Sequence, residues 1–206
     1  LGVESRLETI NSSNIGKHNR NNHGAYGELS SCLGERIRGT IGLYANYNTD
    51  YGVQVYPGMD LAYLINAHWS FSTSIGSGQR IPSFTDLYLE QRPGNVGNEF
   101  LLPENAWSYE GNIQYRKGNS GIKAGYFYRS ISDFIDWVRD NPSDPYSPTS
   151  FGKNKVHGLY VRVQQEFQLD GTQSFGYMAS YNYLHPSLET SAQTQSKYTL
   201  ESLKHQ

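Results

Sequence analysis

Residues 36–47 decide the fold, and they read RIRGTIGLYANY. One set of alternate positions is apolar or small: Ile37, Gly39, Ile41, Leu43, Ala45 and Tyr47. The other set is mostly polar: Arg36, Arg38, Thr40, Gly42, Tyr44 and Asn46. Successive side chains of a β-strand point to opposite faces, so this period of two predicts a strand with one apolar and one polar face.

The same alternation recurs along the chain and predicts ten strands. They cover residues 3–10, 24–33, 36–47, 54–64, 68–76, 106–116, 121–138, 154–168, 173–185 and 198–206. The apolar faces predict lipid contact for Ile41, Leu43, Leu61, Phe71, Ile113, Val161, Tyr177 and Ala179. The polar faces predict an inward position for Arg38, Asp60, Ser70, Glu110, Arg162 and Asn182.

The predicted connections alternate in length. Short turns at 34–35, 65–67, 117–120 and 169–172 alternate with longer loops at 11–23, 48–53, 77–105, 139–153 and 186–197. This alternation places all short turns at one end of the sheet, which is typical of outer-membrane barrels. A secreted carbohydrate-binding sandwich would explain the tyrosines but has no reason to sort its loops in this way. The pattern therefore predicts an all-β, antiparallel up-and-down transmembrane β-barrel portion.

Aromatic residues fall near the predicted strand ends, where the rings of a barrel form girdles at the headgroup level. Those assigned to the girdles are Tyr47, Tyr63, Trp69, Trp107, Tyr115, Trp137 and Tyr183.

The composition of the 206 residues narrows the class of protein further. Charged residues make up 17% and the net charge is −2, so there is no basic footprint for nucleic acid. No apolar run approaches the 18 or so residues of a spanning helix, whereas a spanning strand needs only about ten alternating residues. Because the chain begins at Leu1 without an apolar leader and stops at Gln206 within a strand pattern, we expect it to be a fragment.

The longest predicted loop holds the most specific motif. Residues 80–88 read RIPSFTDLY, and Gly-Asn pairs, Leu-x-Pro-Glu at 101–104 and Tyr-Glu at 109–110 follow in order. Further segments continue the series at 131–135, 154–160 and 197–205. In their joint spacing these pieces resemble the TonB-dependent outer-membrane receptors, and most closely those similar to the vitamin B12 receptor.

The resemblance implies a barrel of about 22 strands, an N-terminal plug domain and a segment that binds TonB. Residues 1–206 would then be an interior portion of the barrel domain, with the plug and the C-terminal strands missing. It also implies location in the outer membrane of a Gram-negative bacterium, contact with outer-membrane lipid, and uptake of a scarce, large nutrient such as cobalamin, a ferric siderophore or haem. A passive porin or ligand-binding barrel without energy coupling remains the alternative.

Motif residues carried over from the family are interpreted mainly as structural: Arg80, Pro82, Asp86, Tyr88, Gly97, Asn98, Pro103 and Glu104. The prolines cannot donate to a strand ladder and are expected to bound strands. The Gly-Asn pairs are expected to supply positive φ in turns. Arg80 and Glu104 are expected either to pair or to line the lumen against the plug.

Aromatic and basic loop residues are the weaker candidates for ligand contact, because rings and a guanidinium suit a large polar ligand. They are Tyr88, Arg92, Tyr146 and Phe151.

The sequence argues against two other kinds of site, an enzyme active site and a calcium-binding site. His68, Ser70 and Ser72 share one strand face, but no carboxylate lies near them in the sequence to orient the imidazole, so no enzyme is predicted. The acidic residues Asp133, Asp136, Asp140 and Asp144 do not match the spacing of a calcium loop. No metal site and no cofactor are predicted.

Overall fold

The computed structural model describes residues 1–189, 195–197 and 204–205. Its main sheet is built from long strands: β1 (Gly2–Ser12), β2 (Gly16–Leu33), β3 (Ile37–Asn48), β4 (Gly52–Leu64), β5 (Trp69–Arg80), β8 (Glu104–Lys117), β9 (Ser120–Arg139), β10 (Ser147–Gln168) and β11 (Ser174–Glu189). The loop between β5 and β8 holds the helix α1 (Phe84–Tyr88) and a small hairpin of β6 (Glu90–Gln91) and β7 (Asn95–Val96). The two-residue strand β12 (Gln195–Ser196) pairs with β9.

The sheet is an antiparallel meander in which each long strand pairs with the next long strand along the chain. This confirms the predicted all-β, up-and-down arrangement. The exception to sequence order is β12, which pairs with the end of β9. The tenth predicted strand, 198–206, lies outside the described residues except for Lys204 and His205.

The strand register places the two predicted sets of side chains on opposite faces. Thr40 pairs with Asp60, Asp60 with Ser74, and Ser74 with Glu110, which fixes one face across four strands. We call this the inner face, and all six residues predicted to point inward lie on it. The opposite, outer face carries all eight residues predicted to contact lipid, and most of its large apolar side chains are exposed, among them Ile41, Leu43 and Phe71, while Leu61 is half-buried. Among the described residues, no helix is both long and apolar enough to cross a membrane.

Two of the predicted long loops are wrong. The predicted loop 11–23 is reduced to residues 13–15, and the predicted loop 48–53 to residues 49–51, because β1 to β4 extend further than expected. The added strand segments are polar on both faces, as in the run HNRNNH at 18–23, so no alternation marks them. The 81–103 connection remains by far the longest, and it lies at the same end of the sheet as the 13–15, 49–51 and 140–146 connections. We call this the loop end.

Hydrogen bonds between strands hold several polar side chains of the inner face, and one of them reaches from β10 across β9 to β8. The Tyr160 hydroxyl donates to the Glu110 carboxylate over 2.6 Å, and the Ser72 hydroxyl donates to Asn112 over 2.9 Å. The Tyr160 ring lies over Gly125, its pairing partner on β9, and a Cβ at that glycine would collide with the ring. The inner face is therefore covered by rings and hydrogen-bonded pairs.

Candidate functional site

The 81–103 loop folds back over the loop end of the sheet and forms its buried cluster there. Leu87 and Leu101 pack with Ile135 of β9, and Tyr88 covers their edge. The chain can turn into α1 because Ser83 and Asp86 form a capping box. The Asp86 amide donates to the Ser83 hydroxyl over 3.1 Å, and the Ser83 amide donates to the Asp86 carboxylate over 3.0 Å.

Asp86 also ties the loop to the sheet. Its side chain is only 7% exposed, and its carboxylate accepts the indole N–H of Trp137 over 3.1 Å. Trp137 was expected in an aromatic girdle facing lipid, and this is wrong: its side chain is buried beneath the loop. The expectation fails because an amphipathic ring near a strand end can be covered by a loop as well as by lipid headgroups.

Glu104 forms a second anchor at the start of β8. Its carboxylate is buried and accepts the backbone N–H of Ile135 over 2.9 Å. Arg80 lies between the two anchors, 3.5 Å from the Glu104 carboxylate and 3.4 Å from that of Asp86. Arg80 therefore pairs with Glu104, as one of the two expectations stated. Because Arg80 is half exposed, the pair contributes little stability by itself, but its charge faces both carboxylates.

The hairpin of β1 and β2 supports the loop from the other side. Arg20 is buried, donates to the Pro82 carbonyl over 2.7 Å and to Glu8 over 2.6 Å, and holds its guanidinium 4.7 Å from the centre of the Phe84 ring. The imidazole of His18 stacks on Tyr88 with ring centres 3.7 Å apart. Burial is the largest cause of a raised pKa for Tyr88.

Gly97 and Asn98 close the loop against α1. The Gly97 amide donates to Leu89 over 2.7 Å, and the Asn98 amide donates to Asp86 over 2.9 Å. The expectation that this Gly-Asn pair supplies positive φ is wrong, since Gly97 is not among the glycines with positive φ. A Cβ at Gly97 would lie 2.6 Å from the backbone of Leu87, so this position requires glycine for close approach.

The two prolines of the motif flank the loop. Pro82 lies two residues after the end of β5 and is fully buried, while Pro103 directly precedes β8. Tyr51, in the turn between β3 and β4, donates its hydroxyl to the Leu101 carbonyl over 3.3 Å, and burial raises its pKa.

The four candidate ligand-contact residues are not brought together in one place. Tyr88 ends α1 and lines a cavity of about 470 Å³ beneath the loop, with His18 and Phe100 among its neighbours. Arg92 lies at the tip of the β6–β7 hairpin, where its guanidinium pairs with Glu90 over 2.7 Å. Phe151 was expected in a loop, and this is wrong, because β10 begins at residue 147 and includes it.

Tyr146 is the candidate with the most distinctive surroundings. The Arg139 guanidinium lies 4.6 Å from the centre of its ring, and the Lys197 ammonium lies 5.9 Å from it. Lys197 is also 5.4 Å from the Trp137 ring and donates to Asn95 over 2.8 Å. A cavity of about 470 Å³ opens beside this cluster. The sequence analysis did not identify Arg139 and Lys197. The two residues are far apart in the chain, so no motif or spacing indicates that they meet.

The residues considered for an enzyme site lie in ordinary strand and turn surroundings. His68 lies in a turn with its ring against Tyr115, while Ser72 is bonded to Asn112. Within residues 1–189, 195–197 and 204–205, no three His, Cys, Asp or Glu side chains are placed to hold a metal ion.

A meander of long strands with an apolar outer face, a bonded polar inner face and an infolded loop defines part of the wall of an outer-membrane receptor barrel. The family model described as "TonB dependent receptor-like, beta-barrel" matches residues 4–203. The chain belongs to this family, whose members are transport receptors in the outer membrane of Gram-negative bacteria. TonB-dependent receptors bind TonB and large ligands such as siderophores.

Solved structures of receptors share the fold. The siderophore receptor PirA from Pseudomonas aeruginosa is 20% identical, with a TM-score of 0.78 over 90% of this chain and 36% of that chain. A variant of the ferric enterobactin receptor PfeA from Pseudomonas aeruginosa is 16% identical, with a TM-score of 0.69 over 82% of this chain and 27% of that chain. The FrpB iron transporter from Neisseria meningitidis is 16% identical, with a TM-score of 0.60 over 82% and 26%. The chain thus spans about a third or less of these proteins' length, and the search of curated proteins finds no match.

Proposed function

We propose that the complete protein, of whose barrel domain residues 1–206 form a part, imports a scarce, large nutrient across the outer membrane with energy delivered through TonB. The observation that carries the proposal is the 81–103 loop, which is fixed to β2, β5 and β9 by its motif residues at the loop end of the barrel wall. A barrel of about 22 strands has a lumen wide enough to need a plug. A bound ligand cannot pass a plugged lumen by diffusion alone, so an energy source is required.

The Arg139–Tyr146–Lys197 cluster supports an anionic ligand among the candidate nutrients. Its two cations face one ring beside a cavity of about 470 Å³. The lining includes one carboxylate, Asp144, which accepts from Asn141, so cations outnumber anions and the site suits a ligand that carries negative charge and flat groups. We therefore favour a ferric siderophore over cobalamin and haem, in line with the siderophore and iron receptors among the structural neighbours. A role like that of the vitamin B12 receptor has no support of this kind. We propose neither enzymatic activity nor nucleic-acid binding.

The test is uptake of labelled ferric enterobactin, haem and cobalamin by cells that carry the full-length gene, with and without TonB. We expect uptake of the ferric siderophore, and its loss without TonB. Uptake that is undiminished without TonB would instead support the passive porin. TonB-dependent uptake of cobalamin or haem, without uptake of the ferric siderophore, would agree with energy-coupled import but contradict the proposed substrate class.

A double variant, Arg139→Gln with Tyr146→Ala, tests the cluster directly. We expect the apparent affinity for ferric enterobactin to fall about tenfold or more, because both a charge and the ring that positions it are lost. The matched control is Lys117→Gln, which removes a cation from the last residue of β8, at the short-turn end of the sheet. Equal affinity for ferric enterobactin in the double variant and in the control would contradict the assignment of the ligand site to this cluster.

A further inference from the structure

Trp137 lies between the 81–103 loop and the proposed ligand cluster, and it contacts both. Its indole N–H donates to Asp86 of α1 over 3.1 Å, while the Lys197 ammonium lies 5.4 Å from the centre of its ring. The Trp137 carbonyl also accepts the amide N–H of Lys197 over 2.7 Å. The Trp137 side chain is buried. A single buried ring therefore touches an anchor of the loop at its edge and a cation of the cluster at its face.

The pairing of β12 with β9 fixes the backbone that carries Lys197. Ser196 pairs with Val138 and Gln195 with Arg139, so β12 runs along the end of β9. The Gln195 side chain also accepts from the Arg139 guanidinium over 3.2 Å. Because Lys197 directly follows β12, its side chain starts from a fixed point beside the Trp137 ring.

The 81–103 loop also contacts the cluster directly, through β7. The Lys197 ammonium donates to Asn95 over 2.8 Å. The Val96 amide donates to the Tyr146 carbonyl over 2.9 Å, and the Tyr146 amide donates to the Gly94 carbonyl over 2.9 Å. The loop thus touches the cluster at two points, at β7 directly and at α1 through the indole.

We infer that Trp137 is a positioning residue of the cluster: its ring holds the Lys197 ammonium in place, and its N–H ties that ring to the closed 81–103 loop. A cation within about 6 Å of the centre of an indole ring is attracted to the face of the ring, and indole attracts cations more strongly than phenol or phenyl. A buried ring that is bonded at its edge keeps one orientation, so its face stays directed at Lys197. The effect on ligand binding rests on the proposed function, whereas the placement of Lys197 does not.

In this arrangement the position of the loop decides how many cations face an anionic ligand. With the loop closed, Arg139 and Lys197 both face the Tyr146 ring. When the bond to Asp86 is lost, the placement of Lys197 is lost with it, while Arg139 keeps its own bond to the Pro142 carbonyl. A ligand that needs both cations therefore favours the closed loop, and by reciprocity the closed loop raises the affinity for that ligand by the same factor.

The placement of Lys197 is tested by NMR of the purified full-length receptor with ¹³C-methylated lysines, without ligand. Methylation keeps the positive charge, and the signal of Lys197 is the one that Lys197→Gln removes. We expect this signal to be shifted upfield by the ring current of the indole, and most of the shift to be lost in Trp137→Leu. The control is Trp107→Leu, which removes an exposed indole from the outer face. An unshifted signal in the unaltered receptor, or the same shift in Trp137→Leu as in the control, would overturn the placement.

The link to the loop is tested by Asp86→Ala with Ser83→Ala as its matched control. Both variants break the capping box of α1, but only Asp86→Ala also removes the acceptor of the indole N–H. We expect the upfield shift of the Lys197 signal to fall in Asp86→Ala and to persist in Ser83→Ala. Equal shifts in these two variants would show that the N–H of Trp137 does not tie Lys197 to the loop.

Binding of ferric enterobactin to the same purified variants tests the role in the proposed function. We expect Trp137→Leu to weaken binding about fivefold and Trp107→Leu to leave it unchanged. Binding as tight in Trp137→Leu as in the control would overturn the role of Trp137 in ligand binding. If the unaltered receptor does not bind ferric enterobactin, the proposed substrate class is wrong, and the NMR shift still decides whether Trp137 positions Lys197.

Discussion

Removal of the Asp86 carboxylate tests whether the 81–103 loop is held closed by its motif. In Asp86→Ala the capping box is lost, which costs about 1 kcal/mol. The buried indole N–H of Trp137 also loses its acceptor, which costs about 1–3 kcal/mol. The pairing with Arg80 adds little because that guanidinium is half exposed. We therefore expect the closed loop to lose about 2–4 kcal/mol relative to an open one, or roughly 30- to 1,000-fold in the ratio of the two states.

Hydrogen exchange of the full-length receptor, read by mass spectrometry on peptides from residues 81–103, measures this ratio. We expect faster exchange in the loop and in β9 near Trp137, with unchanged exchange in β3 and β4. Glu90→Ala is the control, since it removes a carboxylate from the same loop whose ion pair with Arg92 is exposed, and its effect should stay within about 0.5 kcal/mol. Protection in Asp86→Ala equal to that of the control would refute the reasoning, provided that heat-modifiability on gels shows an assembled barrel.

Three further expectations concern close packing, strand register and alkaline pH. Gly97→Ala should loosen the loop in the same exchange assay because its Cβ meets backbone at 2.6 Å, whereas Gly94→Ala, whose nearest contact is 3.5 Å, should not; equal effects would contradict the packing argument. Leu43→Arg should lower the yield of heat-modifiable barrel, since a mid-membrane arginine costs roughly 2–4 kcal/mol, while Ser70→Arg on the inner face should assemble; similar yields would reject the register. The raised pKa of Tyr51 means that its neutral form stabilises the closed loop fully below about pH 10 and that this contribution disappears as pH rises through the raised value. Tyr51→Phe should therefore reduce the loss of protease resistance that occurs as the pH is raised. The same dependence of protease resistance on pH in the variant and the unaltered protein would contradict a contribution from Tyr51.

The faces of the sheet could be predicted from the sequence because a shift of one residue in register would move every apolar side chain to the other face. This made the positions of Leu43 and Asp60 predictable without knowledge of their partners. The strand ends were not predictable in the same way, since residues 16–23 are polar on both faces once they leave the membrane. Their pairing follows from the hairpin with β1.

The site was only partly within reach of the sequence. Ser83 and Asp86 have the spacing of a capping box, which is a signal for α1 that the alternation of strand residues does not contain. The burial of Trp137 could not be predicted, because it depends on where a loop 51 residues earlier in the chain folds back. The Arg139–Tyr146–Lys197 cluster is likewise a product of tertiary structure, as its members come from β9, the connection after it and a segment beyond β11.

The Tyr160 ring that lies over Gly125 has a consequence for how this barrel wall can evolve. The ring and the glycine beneath it depend on each other. A side chain added at Gly125 would displace the ring. Loss of the ring would expose the backbone of Gly125 and remove the hydrogen-bond donor of the Glu110 carboxylate. The two positions lie 35 residues apart in the chain but opposite each other on adjacent strands. Neither can drift alone without cost. We therefore expect tolerated substitutions to occur at both positions together, with a larger residue at position 125 and a smaller one at position 160, so that the combined side-chain volume of the pair is kept.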